Sequence, residues 1–277
     1  MSTFSVGQEN STSIDLYYED HGTGKPVVLI HGYPLSAASW EKQLPVLLEA
    51  GHRVVMYDRR GFGRSSQPAT GYDYDTFADD LHALLEKLDL TDVALVGFSM
   101  GGGEVARYIG KYGTARVGKA VFVGAVAPHL LKTDDDPEGV PGEVFDGIKA
   151  AIAKDRPSFF AGFFKDFFNV EKLKPEGRIT DEAVHMNWGV AVASSPIASL
   201  ACVDTWGTDF REDVKRIDVP TLVIHGDADN IVPFAASGAR TAKLVPGAKL
   251  VTIENGPHAV NWTHAEEVNA ALLEFLS

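Results

Sequence analysis

The chain has 277 residues, 45% of them hydrophobic, and a formal charge of −13. That length suits one large α/β domain or a domain with an insertion, and the acidic balance argues against nucleic-acid or anionic-lipid binding, which needs clustered Lys and Arg. Cys202 is the single cysteine, Met1-Ser2-Thr3-Phe4-Ser5 lacks the basic segment and apolar core of a leader, and no apolar run is long enough to span a bilayer; the expected setting is therefore a reducing cytoplasm, with no membrane, and the expected partners are small molecules or copies of the chain itself.

In chain order, short β-branched and leucine runs predict strands near Ile14–Glu19, Val27–Ile30, Arg53–Tyr57, Val93–Val96, Ala120–Gly124, Thr221–His225 and Lys249–Ile253. Helical patterns alternate with them, which is the sequence form of βαβ units and a mostly parallel sheet. Phe77, Leu81, Leu84, Leu85 and Leu88 recur at helical spacing after a capping-box pattern at Thr76-x-x-Asp79. A further helix is expected from about Gly102 to Tyr112. The C-terminal pattern places Thr263 at an N-cap, with Val268, Leu272 and Phe275 on one face.

Between about Pro128 and Asp213 the strand signal stops and aromatic residues accumulate: Phe145, Phe159, Phe160, Phe163, Phe164, Phe167, Phe168, Trp188 and Trp206. The expected organisation is a core of residues 1–127 and 214–277 with a helical cap, residues 128–213, inserted between two strands. Most of these rings should pack the cap onto the body, and a few should line a pocket roof. The acidic run Thr133-Asp134-Asp135-Asp136-Pro137-Glu138 lacks the spaced glycine and terminal glutamate of a calcium loop, and it reads as a solvated loop.

Gly97-Phe98-Ser99-Met100-Gly101 sits between an apolar strand and a helix. There the glycines permit a tight bend, and Ser99 projects toward the helix N-terminus. A serine becomes nucleophilic when a histidine removes its proton and a carboxylate fixes that histidine's tautomer. His258 follows the last strand, at the end where such sheets hold their sites. His31 and His225 adjoin or end apolar strands and read as structural. Asp227 and Asp229 both follow the Thr221–His225 run; Asp229 is chosen because it lies further past the strand, while Asp227 occupies a turn suited to local backbone bonds. The developing oxyanion needs two donors. Met100 N–H follows the nucleophile, and Tyr33 N–H lies in His31-Gly32-Tyr33-Pro34, where Gly32 allows close approach to substrate and Pro34 biases Tyr33 toward an extended conformation. No His or Cys cluster has metal-ligand spacing, so no metal is expected.

With these segments and Asp58-Arg59-Arg60-Gly61-Phe62-Gly63-Arg64-Ser65, the chain resembles the α/β-hydrolases over nearly its whole length, from Val6 to Glu267. More narrowly, it is similar to the metal-free, cofactor-free bacterial haloperoxidases, or perhydrolases, and to neighbouring aryl esterases and γ-lactamase. The resemblance implies an α/β-hydrolase fold, with a mostly parallel central sheet flanked by helices and a helical cap insertion. It also implies a catalytic order of Ser99, Asp229 and His258, oxyanion donors at Tyr33 and Met100, substrate contacts at Gly32 and Pro34, no cofactor, and a homo-oligomer, trimeric or larger. The implied reaction passes an acyl group from an ester, amide or carboxylic acid through Ser99 to water or hydrogen peroxide. Members with strong perhydrolase activity tend to carry proline at the place of Pro34. The triple glycine Gly101-Gly102-Gly103 departs from some haloperoxidases and leans toward the esterases. Aryl esterase or γ-lactamase with incidental perhydrolysis is the alternative within the class, and a small-molecule receptor that keeps the triad is the alternative outside it.

Overall fold

In the computed structural model, which describes residues 2–277, eight strands form one sheet: Ser2–Glu9 (β1), Thr12–His21 (β2), Pro26–Ile30 (β3), Arg53–Tyr57 (β4), Val93–Phe98 (β5), Val117–Val123 (β6), Thr221–Gly226 (β7) and Lys249–Ile253 (β8). Their order is β1-β2-β4-β3-β5-β6-β7-β8. β1 and β2 form an antiparallel hairpin, β2 runs antiparallel to β4, and every later pairing is parallel. The parallel centre is covered on both faces, so β5 and β7 are buried along their whole length. This is the α/β-hydrolase architecture. Strand β1 has no counterpart in the apolar pattern because Phe4 is its one buried side chain; its place is set by main-chain pairing with β2.

Helices Tyr74–Lys87 (α2), Met100–Tyr112 (α3) and Ala265–Leu276 (α11) pack against the sheet, with shorter turns Leu44–Glu49 (α1), Gly238–Leu244 (α9) and Val260–Thr263 (α10). Two capping expectations are corrected. Asp73, not Thr76, caps α2, its carboxylate accepting the Thr76 N–H at 2.9 Å. At α11 the N-cap position is His264, without a side-chain cap bond, while Thr263 donates its hydroxyl back to the Ala259 carbonyl. In each case the hydroxyl meets an acceptor within reach before it meets the orphan N–H groups of a helix start.

Between β6 and β7 the chain forms Gly142–Phe167 (α4), Val170–Leu173 (α5), Asp181–Ala193 (α6), Pro196–Thr205 (α7) and Arg211–Val214 (α8). α4 is two helices meeting at Asp155, whose backbone is non-helical and whose carboxylate caps the second half at Ser158 N–H. Pro157, without an N–H, fits that new first turn. The acidic run before α4 is not wholly solvated. Asp136 is buried and accepts from Arg240 at 2.6 Å and His129 at 2.9 Å, contacts that offset the cost of taking its charge out of water. No single helix among the described residues is long and apolar enough to cross a membrane.

Candidate active site

Strand β5 ends at Phe98 and α3 begins at Met100, which leaves Ser99 alone in the turn with φ 54° and ψ −118°. A non-glycine residue in this region carries about 1–3 kcal/mol of strain, held by its surroundings. The restraint is visible: Ser99 N–H donates to Val123 O at 2.8 Å, and Val126 N–H donates to Ser99 O at 3.2 Å. A Cβ on Gly97 would lie 2.3 Å from Gly101 O, and one on Gly101 would lie 2.3 Å from Ile30 O. Glycine at both flanks is therefore demanded by close approach. The triple glycine also has a packing cause, since side chains at Gly102 and Gly103 would meet Ala125 and the Tyr74 ring.

His258, on the loop after β8, turns back over this serine. Its Nε2 lies 2.8 Å from Ser99 Oγ and its Nδ1 lies 2.7 Å from Asp229 Oδ2. The tautomer that serves both contacts has Nδ1–H donating to the carboxylate and Nε2 accepting from the hydroxyl. All three residues are buried, so the contacts are little screened. Asp229 Oδ1 accepts from the N–H groups of Ile231 at 2.9 Å and Val232 at 2.8 Å. The local backbone bonds expected of Asp227 thus belong to Asp229, and Asp227 is exposed. Burial pushes the Asp229 carboxyl up, but His258 and His225 together hold it well below the usual carboxylate range.

His225 was expected to be structural, and it does hydrogen-bond Val232 O at 2.9 Å. The same Nε2 stands 3.2 Å from Asp229 Oδ2. The carboxylate is therefore flanked by two imidazoles. His225 and Asp229 are four positions apart, but only the closed turn after β7 shows that they meet.

Gly32 and Tyr33 follow β3. A Cβ on Gly32 would lie 2.8 Å from Ser99 Cβ, so this loop touches Ser99 directly. Neither Tyr33 N–H nor Met100 N–H donates to a backbone carbonyl among the described residues. The Tyr33–Pro34 bond is cis. The Tyr33 ring packs against Trp206 at 5.0 Å between centroids, and its hydroxyl donates to Ser199 O at 2.8 Å, linking the loop to α7. His31 is structural. Its Nε2 accepts Arg59 N–H at 2.9 Å and its Nδ1–H donates to Gly32 O at 2.8 Å, while burial, helped by the Arg59 charge, holds its pKa well below the usual imidazole range.

Ser99 and His258 open onto a cavity of about 640 Å³ roofed by the helices that follow β6. Phe145, Phe159, Phe163 and Trp206 line it together with Tyr33. Phe160, Phe164, Phe167 and Phe168 are instead buried packing, and Trp188 lies in a separate outer groove with its N–H on Pro157 O. Phe167, expected only as cap packing, and Asn169, which sequence reasoning missed, tie this roof to the site. Phe167 O accepts Ala259 N–H at 3.1 Å beside His258, and its ring meets the imidazole edge-on at 5.0 Å. Asn169 donates to Ala228 O at 3.4 Å and accepts from Asn230 at 3.0 Å. Neither belongs to a recognisable motif, so no local signal distinguished them.

Among the described residues, no three His, Cys, Asp or Glu side chains gather as a metal ion would require. A family model described as alpha/beta hydrolase fold matches residues 25–265. A bromoperoxidase from Bacillus anthracis has the same structure at a TM-score of 0.95 and 51% identity, over 99% of each chain. A Synechocystis sp. protein provisionally named a non-heme chloroperoxidase is 60% identical over 276 residues, 100% of both chains. The bifunctional esterase/perhydrolase DCH of Acinetobacter calcoaceticus is 38% identical over 95% of this chain and 96% of its own.

Proposed function

Because this chain belongs to the alpha/beta hydrolase fold family, we propose that it is a serine hydrolase with cofactor-free perhydrolase, and hence haloperoxidase, activity alongside esterase activity. The observation that carries this reading is the continuous chain Ser99 Oγ, His258 Nε2, His258 Nδ1, Asp229 Oδ2, with contacts of 2.8 and 2.7 Å. His258 takes the Ser99 proton as the oxygen attacks the acyl carbonyl of an ester or carboxylic acid, and Asp229 steadies the imidazolium that forms. The N–H groups of Tyr33 and Met100 hold the oxyanion, and Gly32 leaves room for it. Collapse of the tetrahedral intermediate expels the alcohol or water, protonated by His258, and leaves an acyl-Ser99 ester.

His258 then deprotonates the second substrate. Water gives the carboxylic acid. Hydrogen peroxide, its first proton taken by His258 and passed to Ser99, gives a peracid, and Pro34 orients the Tyr33 carbonyl to accept a hydrogen bond from the remaining peroxide O–H. The peracid leaves and oxidises bromide or chloride in solution, taking up a proton to give hypohalous acid and the carboxylic acid. Halide oxidation on this reading is a by-product of acyl transfer, and the electrons come from halide to peracid without passing through the protein. The relatives named for chloroperoxidase and esterase/perhydrolase activities support this pairing.

A second reading, aryl esterase or γ-lactamase with incidental perhydrolysis, is favoured by the aromatic lining of a cavity far larger than acetate needs. Rates on p-nitrophenyl acetate, a bicyclic γ-lactam, and acetate plus peroxide separate the two. The division into a core of residues 1–127 and 214–277 and a cap of 128–213, a homo-oligomeric state, trimeric or larger, and a cytoplasmic location complete the proposal; light scattering on the purified protein tests the oligomer. The mechanism is tested by intact mass after a serine-directed phosphonate. One adduct on Ser99, absent in His258→Ala, supports it; no adduct, or one elsewhere, overturns it.

A further inference from the structure

A buried charge network that the mechanism does not use lies directly beneath the two oxyanion donors. Glu104 sits on α3, one helical turn after Met100, and is 0% exposed. Arg59, just past β4, reaches it with Nε at 2.8 Å and Nη2 at 2.7 Å, and the Tyr57 hydroxyl also donates to its carboxylate. Arg59 is itself 1% exposed. Taking two charges out of water costs several kcal/mol per ion, and an apolar replacement of similar volume is often as stable or more so. Such a pair is therefore weakly explained by stability.

Its connections suggest another use. Arg59 Nη2 also donates to His31 O at 3.0 Å, and Arg59 N–H donates to His31 Nε2 at 2.9 Å. His31 Nδ1–H in turn donates to Gly32 O at 2.8 Å. One path of contacts thus runs from α3, whose first residue supplies the Met100 N–H, through Glu104, Arg59 and His31 to the loop that supplies the Tyr33 N–H. The two halves also touch without it, since Gly101 packs against Ile30 O, but a touching contact limits only how close they come. The guanidinium, bound to both at once, also limits how far they part.

We propose that the Tyr57–Arg59–Glu104 network is a positioning device that sets the spacing of the Tyr33 and Met100 N–H donors, and that the fold does not need it. This rests on the serine-hydrolase reading above. A displacement of about 1 Å at such donors is worth up to about a hundredfold in rate, and loss of one donor about a hundred- to a thousandfold.

The test replaces the network by apolar side chains, Tyr57→Phe/Arg59→Met/Glu104→Leu, with Glu104→Gln as the conservative variant. Four quantities are measured: melting temperature, the active fraction titrated with a phosphonate, kcat and KM for p-nitrophenyl acetate, and Ki for an aryl trifluoromethyl ketone, whose Ser99 adduct carries the oxyanion. The expected result for the triple variant is a melting temperature at or above wild type, an undiminished active fraction, KM within about twofold, kcat down about thirtyfold or more, and Ki raised by the factor lost from kcat/KM. Glu104→Gln should lose less of both. A merely structural role lowers the melting temperature or the active fraction and leaves the Ki to KM ratio alone, which overturns the proposal. Unchanged kcat and Ki in the folded triple variant overturn it, and so does a triple variant that cannot fold. If wild type neither hydrolyses the ester nor takes the phosphonate, the serine-hydrolase reading has failed first.

Discussion

The crest of the sheet and the helices above it enclose the same cavity, yet they tolerate change very differently. At the crest, Ser99, Asp229 and His258 each have a polar partner within 2.9 Å, and added methyl groups at Gly32, Gly97 or Gly101 meet atoms closer than 3.0 Å. On the roof, α4 presents rings to an open volume, and side chains at Gly147 and Gly162 would meet nothing within 4 Å. Polar geometry is directional and fails over fractions of an ångström, whereas apolar burial is roughly proportional to area. The crest is therefore suited to one chemistry, and the roof to adjustable selection among acyl groups.

Substitutions at the crest should have the largest effects. Ser99→Ala is expected to cut kcat by about a million-fold, and Asp229→Asn, which spares the shape but loses the tautomer control of His258, by about ten-thousand-fold. Steady-state ester hydrolysis measures both, and a loss below tenfold in either case would remove the asymmetry between the walls. Gly32→Ala should follow, with kcat/KM down about a hundredfold, because its methyl would press on Ser99 Cβ.

On the roof, Phe163→Ala should raise KM for an aryl ester by about tenfold while kcat moves less than about threefold. A large kcat effect there would mean that the roof helps to position the reacting groups. Pro34→Leu is subtler: the ratio of perhydrolysis to hydrolysis should fall by a few-fold, read from peracid and carboxylate yields at fixed peroxide. An unchanged ratio would free the Tyr33 carbonyl from the role given to it.

The smallest effect concerns stability. The Asp229 carboxyl lies below its usual range in the folded chain, so its contribution is fully present above the unfolded value of about 4 and disappears as pH falls through the depressed folded one. Thermal melts should show the wild-type advantage over Asp229→Asn at neutral pH shrinking steadily in acid. A constant gap between the two curves would show that the Asp229 charge adds nothing to stability.

Much of this architecture was legible before any coordinates. The runs that became β3, β5, β6 and β7 are apolar because both faces are covered, and that requirement is written in consecutive residues. β1 was not legible, because one buried ring in eight residues leaves no periodic signal. Asp136 was misread with its acidic neighbours because its partner, Arg240, lies 104 residues away. The Thr76 and Thr263 caps failed for a related reason: a hydroxyl has several local acceptors, and composition does not rank them.

The amino-acid order alone determined the strand-turn-helix around Ser99, the glycines that let it bend, and the loops on which Asp229 and His258 would be found, since each depends on neighbours only a few residues apart. Only the tertiary structure decided which carboxylate meets the imidazole, that His225 shares it, that Phe167 and Asn169 hold the loops from above, and that Arg59 and Glu104 join α3 to the His31 loop. Those relations are contacts between groups distant in sequence, with geometry set by the packed sheet, and no pattern of residue types along one strand or helix encodes a distance to another.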